Sequence, residues 1–139
     1  MSAPTTTAEH MLLFKGTLWD RDLSAEELQQ VMTRWMDWLD RLTREGKVKA
    51  AQPLSNQGKT VTWKKGAAVD GPFAESKEAI GGYFLLLVSF DEAVEIAKEC
   101  PALKHGITVE VRPVIDQCSS MDRLDLTYED LRLDSQKAQ

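Results

Sequence analysis

Cysteine is scarce in this 139-residue chain: Cys100 and Cys118 are the only two. That excludes the disulfide framework of a small secreted domain, and their spacing fits no metal-ligand motif. They read as reduced thiols in a cytoplasmic protein. Long apolar runs are missing as well. The longest, Tyr83 to Val88, is far too short to span a bilayer, and the polar stretch from Met1 to Glu9 lacks the apolar core of a secretory signal. Excess positive charge is also absent. The net charge of −5 opposes a nucleic-acid surface and an anionic membrane surface. Lys59, Lys64 and Lys65 make a local basic cluster, too small for a nucleic-acid track. No glycine-rich phosphate loop, serine elbow or metal cluster occurs, so neither cofactor nor metal is expected.

The remaining composition, 42% apolar and 28% charged, is that of one globular domain able to bury a core. Met11 to Phe14 reads as a strand, continuous rather than alternating, with both faces covered. A helix is predicted from Ser24 to Glu45. Ser24 and Glu27 form a capping box, and Leu28, Val31, Trp35, Trp38, Leu39 and Leu42 recur on one face. Asp37–Arg41 and Asp40–Arg44 are spaced as i,i+4 ion pairs, and Gly46 ends the helix. Val48 to Leu54 reads as a strand, Asn56-Gln57-Gly58 as a turn, and the alternating Lys59 to Lys64 as a hairpin return. Tyr83 to Val88 is the strongest strand, apolar on both faces. Ser89 and Glu92 form a second capping box, opening a helix from Phe90 to Cys100 that Pro101 stops. Ile107 to Val114 is the last strand. The domain spans residues 10–115; residues 116–139 are an acidic extension that reads as irregular.

This order predicts an α+β fold: a ferredoxin-like split β-α-β unit with an antiparallel sheet and helices on one face. Two helices cannot cover both sides of such a sheet, yet its central strands are apolar on both. A second subunit on the open face resolves the conflict, so a homodimer is expected.

One stretch is unusual. Val69 to Gly82 reads VDGPFAESKEAIGG. Asp70-Gly71-Pro72 predicts a turn, Phe73 follows at once, and Gly81-Gly82 precede the apolar strand. D-G-P-F-A-E-x-K-E followed by G-G-Y resembles the signature of the DGPF branch of the YCII-related family, and the ending Glu110-Val111-Arg112-Pro113 resembles that family's last strand. The resemblance covers about Met11 to Val114. It implies a dimeric α/β barrel, in which two sheets face each other across a two-fold axis. It also implies a regulatory role, because genes of this branch often lie beside sigma-factor genes. A better understood branch resembles a small lyase or hydrolase, a dehydrochlorinase, with a histidine–aspartate pair. This sequence departs from it: Trp35 stands near the matching position on the first helix, and no histidine occurs from Met11 to Lys104. His10 and His105 flank strands and read as surface residues.

Asp70 is the candidate catalytic residue, and it admits two readings. Beside an aromatic wall it is a carboxylate suited to proton transfer; alternatively it caps a turn. Phe73, Lys77, Glu78, Tyr83, Trp35 and Arg112 are the candidate ligand-binding residues, around a cleft whose apolar floor is Tyr83 or Trp35. Lys77 and Glu78 also read as a solvated bend, Arg112 as an ion-pair partner of Glu110, and Trp35 and Trp38 as core anchors. Two functions follow: a small-molecule-binding accessory or regulatory homodimer, or a small lyase or hydrolase using Asp70 as acid/base.

Overall fold

A computed structural model describes residues 8–137. Its main sheet is antiparallel, with strands β1 (Ala8–Lys15), β2 (Val48–Pro53), β5 (Ile80–Val88) and β6 (Thr108–Pro113) in the order β2-β5-β1-β6. Helices α1 (Ala25–Arg44) and α2 (Phe90–Ala97) supply the apolar side chains that cover one face. Strands β3 (Lys59–Lys64) and β4 (Ala67–Pro72) pair only with each other. Helix α3 (Tyr128–Lys137) ends the described chain.

The side-chain alternation of β1 and β5 builds the core. Leu12 and Phe14 on β1 and Phe84, Leu86 and Val88 on β5 are buried against Val31, Trp38 and Leu42 of α1 and Ala93, Ile96 and Ala97 of α2. Met11, Leu13 and Leu85 point the opposite way and are half-buried in the single chain. The expectation of two covered faces is therefore met here on the helix side only. Phe14 meets Trp35, Trp38 and Phe84 edge-on, with ring centroids 4.8, 6.0 and 4.9 Å away. These are the offset geometries that aromatic quadrupoles favour. Among the described residues, Trp38 Nε1 is the one buried side-chain nitrogen or oxygen without a hydrogen-bond partner.

The first helix begins as read. Ser24 Oγ accepts from the Glu27 N–H at 3.1 Å, and the Ser24 N–H donates to Glu27 Oε1 at 3.0 Å. It closes in a Schellman motif: the Lys47 N–H donates to Leu42 O and the Gly46 N–H to Thr43 O, both at 3.0 Å. The second cap is half of the expected box. Ser89 Oγ accepts from the Glu92 N–H at 3.2 Å, while the Glu92 carboxylate pairs with Lys47 at 2.6 Å. Arg41 likewise bonds Glu99 at 3.0 Å, across to the end of α2, where an ion pair with Asp37 was expected. Ser24→Ala and Ser89→Ala should each cost about 1 kcal/mol in urea denaturation, because each leaves a first-turn N–H without its capping hydroxyl. Equal stability of either variant and the wild type would contradict these caps.

Four readings need correction. Asp70, Gly71 and Pro72 lie in strand β4, where a turn was expected. The chain reverses earlier, at Lys65-Gly66, whose φ of 51° and 81° make the twist-matched two-residue hairpin turn. Lys59–Lys64 consequently returns against Ala67–Pro72 and not against β2. The extension holds a helix, α3, begun by a reciprocal pair: Thr127 Oγ1 accepts from the Asp130 N–H at 3.2 Å, and the Thr127 N–H donates to Asp130 Oδ2 at 2.8 Å. His10 is buried, 3% exposed, because its Nδ1 donates to Val88 O at 2.9 Å and its ring centroid lies 5.7 Å from that of Phe90.

Candidate functional site

Between α1 and the edge of the sheet lies a cavity of about 310 Å³. Met32, Trp35, Met36 and Leu39 form its α1 wall, one helical face at i, i+3, i+4 and i+7. Phe14, Phe84 and Ala51 floor it from the sheet, and Tyr83 and the Gly81-Gly82 backbone close one end. The loop from β1 to α1 adds Gly16, Thr17, Trp19 and Asp20. Its polar groups are few: Asp20, Gln52, Asn56 and the Tyr83 hydroxyl, the indole N–H groups of Trp19 and Trp35, and the already bonded Thr17. No lysine, arginine or histidine is among the residues that line it. The hollow thus suits a flat apolar molecule with hydrogen-bond donors and disfavours an anion.

The unusual Val69–Gly82 stretch stands mostly one layer outside this cavity. Ser76 joins it to the β1–α1 loop: its N–H donates to Thr17 Oγ1 at 3.1 Å, and its carbonyl accepts from the Thr17 N–H at 3.1 Å. Its hydroxyl accepts from the Ala79 N–H at 3.1 Å, tightening the bend. Glu75 meets Arg21 at 2.6 Å, Glu78 meets Lys15 at 2.9 Å, and the Gly16 N–H donates to Ala79 O at 2.8 Å. The hydrogen bond to Glu78 holds the Lys15 ammonium above the usual lysine value, and the same contact lowers the Glu78 carboxyl. These bonds fix the loop that carries Trp19 and Asp20.

The expected site residues therefore divide. Trp35 and Tyr83 line the cavity. Asp70 does not: it lies on the β3–β4 hairpin, its side chain 61% exposed, 3.7 Å from Lys59. Phe73 packs beside Gly58 and donates its N–H to Gly58 O at 2.9 Å. Lys77 is exposed, and Glu78 is held by Lys15. Arg112 is exposed on β6, 3.8 Å from Glu110. Asp20, Met32, Met36 and Gln52 were missed; Met32 and Met36 widen the α1 stripe on its Trp35–Leu39 side, while Asp20 and Gln52 carry no local signal. His105, expected at the surface, is half-buried with its ring 6.4 Å from that of Trp19. Among the described residues no group of three histidine, cysteine or acidic side chains is placed to hold a metal. No described helix is long and apolar enough to cross a membrane.

The YCII-related domain matches residues 13–117, which takes in the end of β1, all the other strands, both covering helices and the whole cavity wall. The chain belongs to the YCII-related family. No curated protein of known function matches it. In this YCII-related protein the matched region ends at Gln117, so α3 lies beyond it.

The two thiols differ. Burial pushes the Cys100 thiol up to about 11, whereas a backbone hydrogen bond from Ser120 lowers that of the exposed Cys118. Neither lines the cavity.

Proposed function

We propose that this YCII-related protein is a cytoplasmic, small-molecule-binding homodimer with an accessory or regulatory role. The cavity between α1 and the sheet carries the reading: an apolar hollow with a single carboxylate at its wall is built to bind more than to react. Its volume, about 310 Å³, suits one substituted ring or a fused pair. Asp20, Gln52 and Asn56 accept hydrogen bonds from the ligand's hydroxyl or amine groups. The half-buried Met11, Leu13 and Leu85 on the second sheet face supply the dimer surface. The strand order β2-β5-β1-β6 supports a ferredoxin-like subunit of a dimeric α/β barrel. The DGPF-type signature supports a link to sigma-factor systems.

Thermal shift with a panel of small phenols and their carboxylate analogues tests the binding reading. Phenols should raise the melting temperature, and the carboxylates should not, because Asp20 repels them and no lining cation compensates. Trp35→Ala should weaken phenol binding about five- to tenfold, the loss of an aromatic contact worth about 1–1.5 kcal/mol. A Trp35→Ala variant that binds as tightly as the wild type would place the ligand elsewhere.

A further inference from the structure

The β3–β4 hairpin has no visible reason to be folded in a single chain. All six residues of β3 are exposed, and the two strands bond only to each other. Six residues at about 3.4 Å each make an arm of about 20 Å. A lone two-stranded hairpin is marginal in water. Yet this one has a defined turn, and one of its sides carries Val61 and Trp63, 69% and 72% exposed, together with Ala68 and Pro72 and the Lys59–Asp70 ion pair. An exposed tryptophan on a projecting arm is costly unless something covers it.

A complementary surface lies in the same sequence. Residues 114–131 carry the exposed apolar side chains Ile115, Leu124 and Leu126. Interleaved with them are Asp116, Asp122, Asp125, Glu129 and Asp130, against Arg123 alone. The arm has the opposite charge, with Lys59, Lys64 and Lys65 against Asp70 alone. Lys64 and Lys65 sit at its tip, beside Trp63. Within one chain the arm does not use this surface, since Val61 and Trp63 remain open.

We infer that the β3–β4 hairpin is an exchanged arm, packing Val61 and Trp63 on residues 114–131 of a second copy while its lysine tip faces that copy's carboxylates. Two-fold symmetry repeats the contact, so each chain gives an arm and receives one. The inference rests on the homodimer proposed above and adds the surface that holds it. It also gives the acidic extension, which lies largely beyond the matched domain, a use.

Sedimentation equilibrium of the full chain over a concentration series tests it. The wild type should dimerise, more weakly at high salt. Trp63→Ser should raise the dimer dissociation constant about tenfold or more, as loss of a buried interface tryptophan does. The double variant Lys64→Glu, Lys65→Glu should do the same, and mixing it with Asp122→Lys, Asp125→Lys should restore dimers as a heterodimer. Circular dichroism should show every variant folded, since all these side chains are exposed or half-exposed. A dimer with an unchanged dissociation constant in both arm variants overturns the arm and leaves the homodimer standing. A wild type that stays monomeric at about 100 μM overturns both. A monomer whose Trp63 is shielded from acrylamide shows the arm folding onto its own chain, and that too overturns the exchange.

Discussion

Leu86→Ala should remove about 2–5 kcal/mol of folding stability, the range for emptying a fully buried leucine site. Leu86 is 0% exposed, on β5, which is flanked by β1 and β2. Its neighbours are held by two ladders, so the void cannot easily collapse. A domain of this size holds about 5–15 kcal/mol in all, so the midpoint in urea should fall steeply. The adjacent Leu87 is the internal control. It points to the other sheet face and is 38% exposed in the single chain. Leu87→Ala should cost about 1 kcal/mol or less in the monomer's own folding, since far less apolar area returns to water. Equal losses for the two variants would mean that the alternation along β5 is wrong.

That contrast shows what the sequence makes legible. An all-apolar run announces a buried central strand, and Tyr83 to Val88 is one. It does not announce which face meets the helices and which stays half-buried in the single chain. The first helix was legible to its caps because Ser24, Glu27 and the Schellman turn at Gly46 are local chemistry, decided within a few residues. The β3–β4 hairpin was half legible. Lys59 to Lys64 alternates, but its partner strand contains Asp70-Gly71-Pro72, whose local preference is for a turn. An exposed hairpin tolerates Gly71 and Pro72 at its open end, away from the turn, where few ladder bonds are at stake. Helix α3 was hidden for the reverse reason. Its start, Thr127 with Asp130, is a readable cap, but no apolar stripe follows to reveal a helix.

The candidate site was less legible than the fold. Its walls come from the β1–α1 loop, α1, the end of β2 and the start of β5. No single stretch contains them. The signature drew attention because it is compositionally odd, yet Ser76 and Glu75 within it act by fastening the loop that carries Trp19 and Asp20. Its chemistry is mostly that of a clasp, and the cavity it supports is ordinary in composition. Trp35 was found because it stands near the family's helix-histidine position, and Tyr83 because it follows the signature's Gly81-Gly82; Asp20 resembles any loop aspartate.

Gly82→Ala should destabilise the fold by about 1–3 kcal/mol, while Gly81→Ala should leave it unchanged or stabilise it slightly. The two glycines are adjacent on β5, and the opposite signs come from what a methyl group would meet. A Cβ on Gly82 would stand 3.0 Å from Gln52 O and 3.3 Å from Pro53 Cα, both backbone atoms of the paired edge strand β2. Backbone cannot rotate away, so the strands must part, which is the cost of overpacking. A Cβ on Gly81 would stand 3.6 Å from Thr17 Cγ2, an ordinary contact. There, replacing glycine in a strand recovers about 0.5–1 kcal/mol of backbone entropy. Neither glycine needs a left-handed backbone, so only the approach of β2 separates them. The consequence reaches the cavity, because Ala51, Gln52 and Pro53 line it from β2. Displacing that strand should weaken phenol binding in Gly82→Ala at temperatures where the variant is still fully folded, and Gly81→Ala should bind as the wild type does. Calorimetric unfolding and a binding isotherm on the two variants check both halves. If Gly82→Ala were as stable as the wild type, the close approach of β2 beside β5 would be disproved; if it were unstable yet bound phenols normally, the cavity would not depend on that strand.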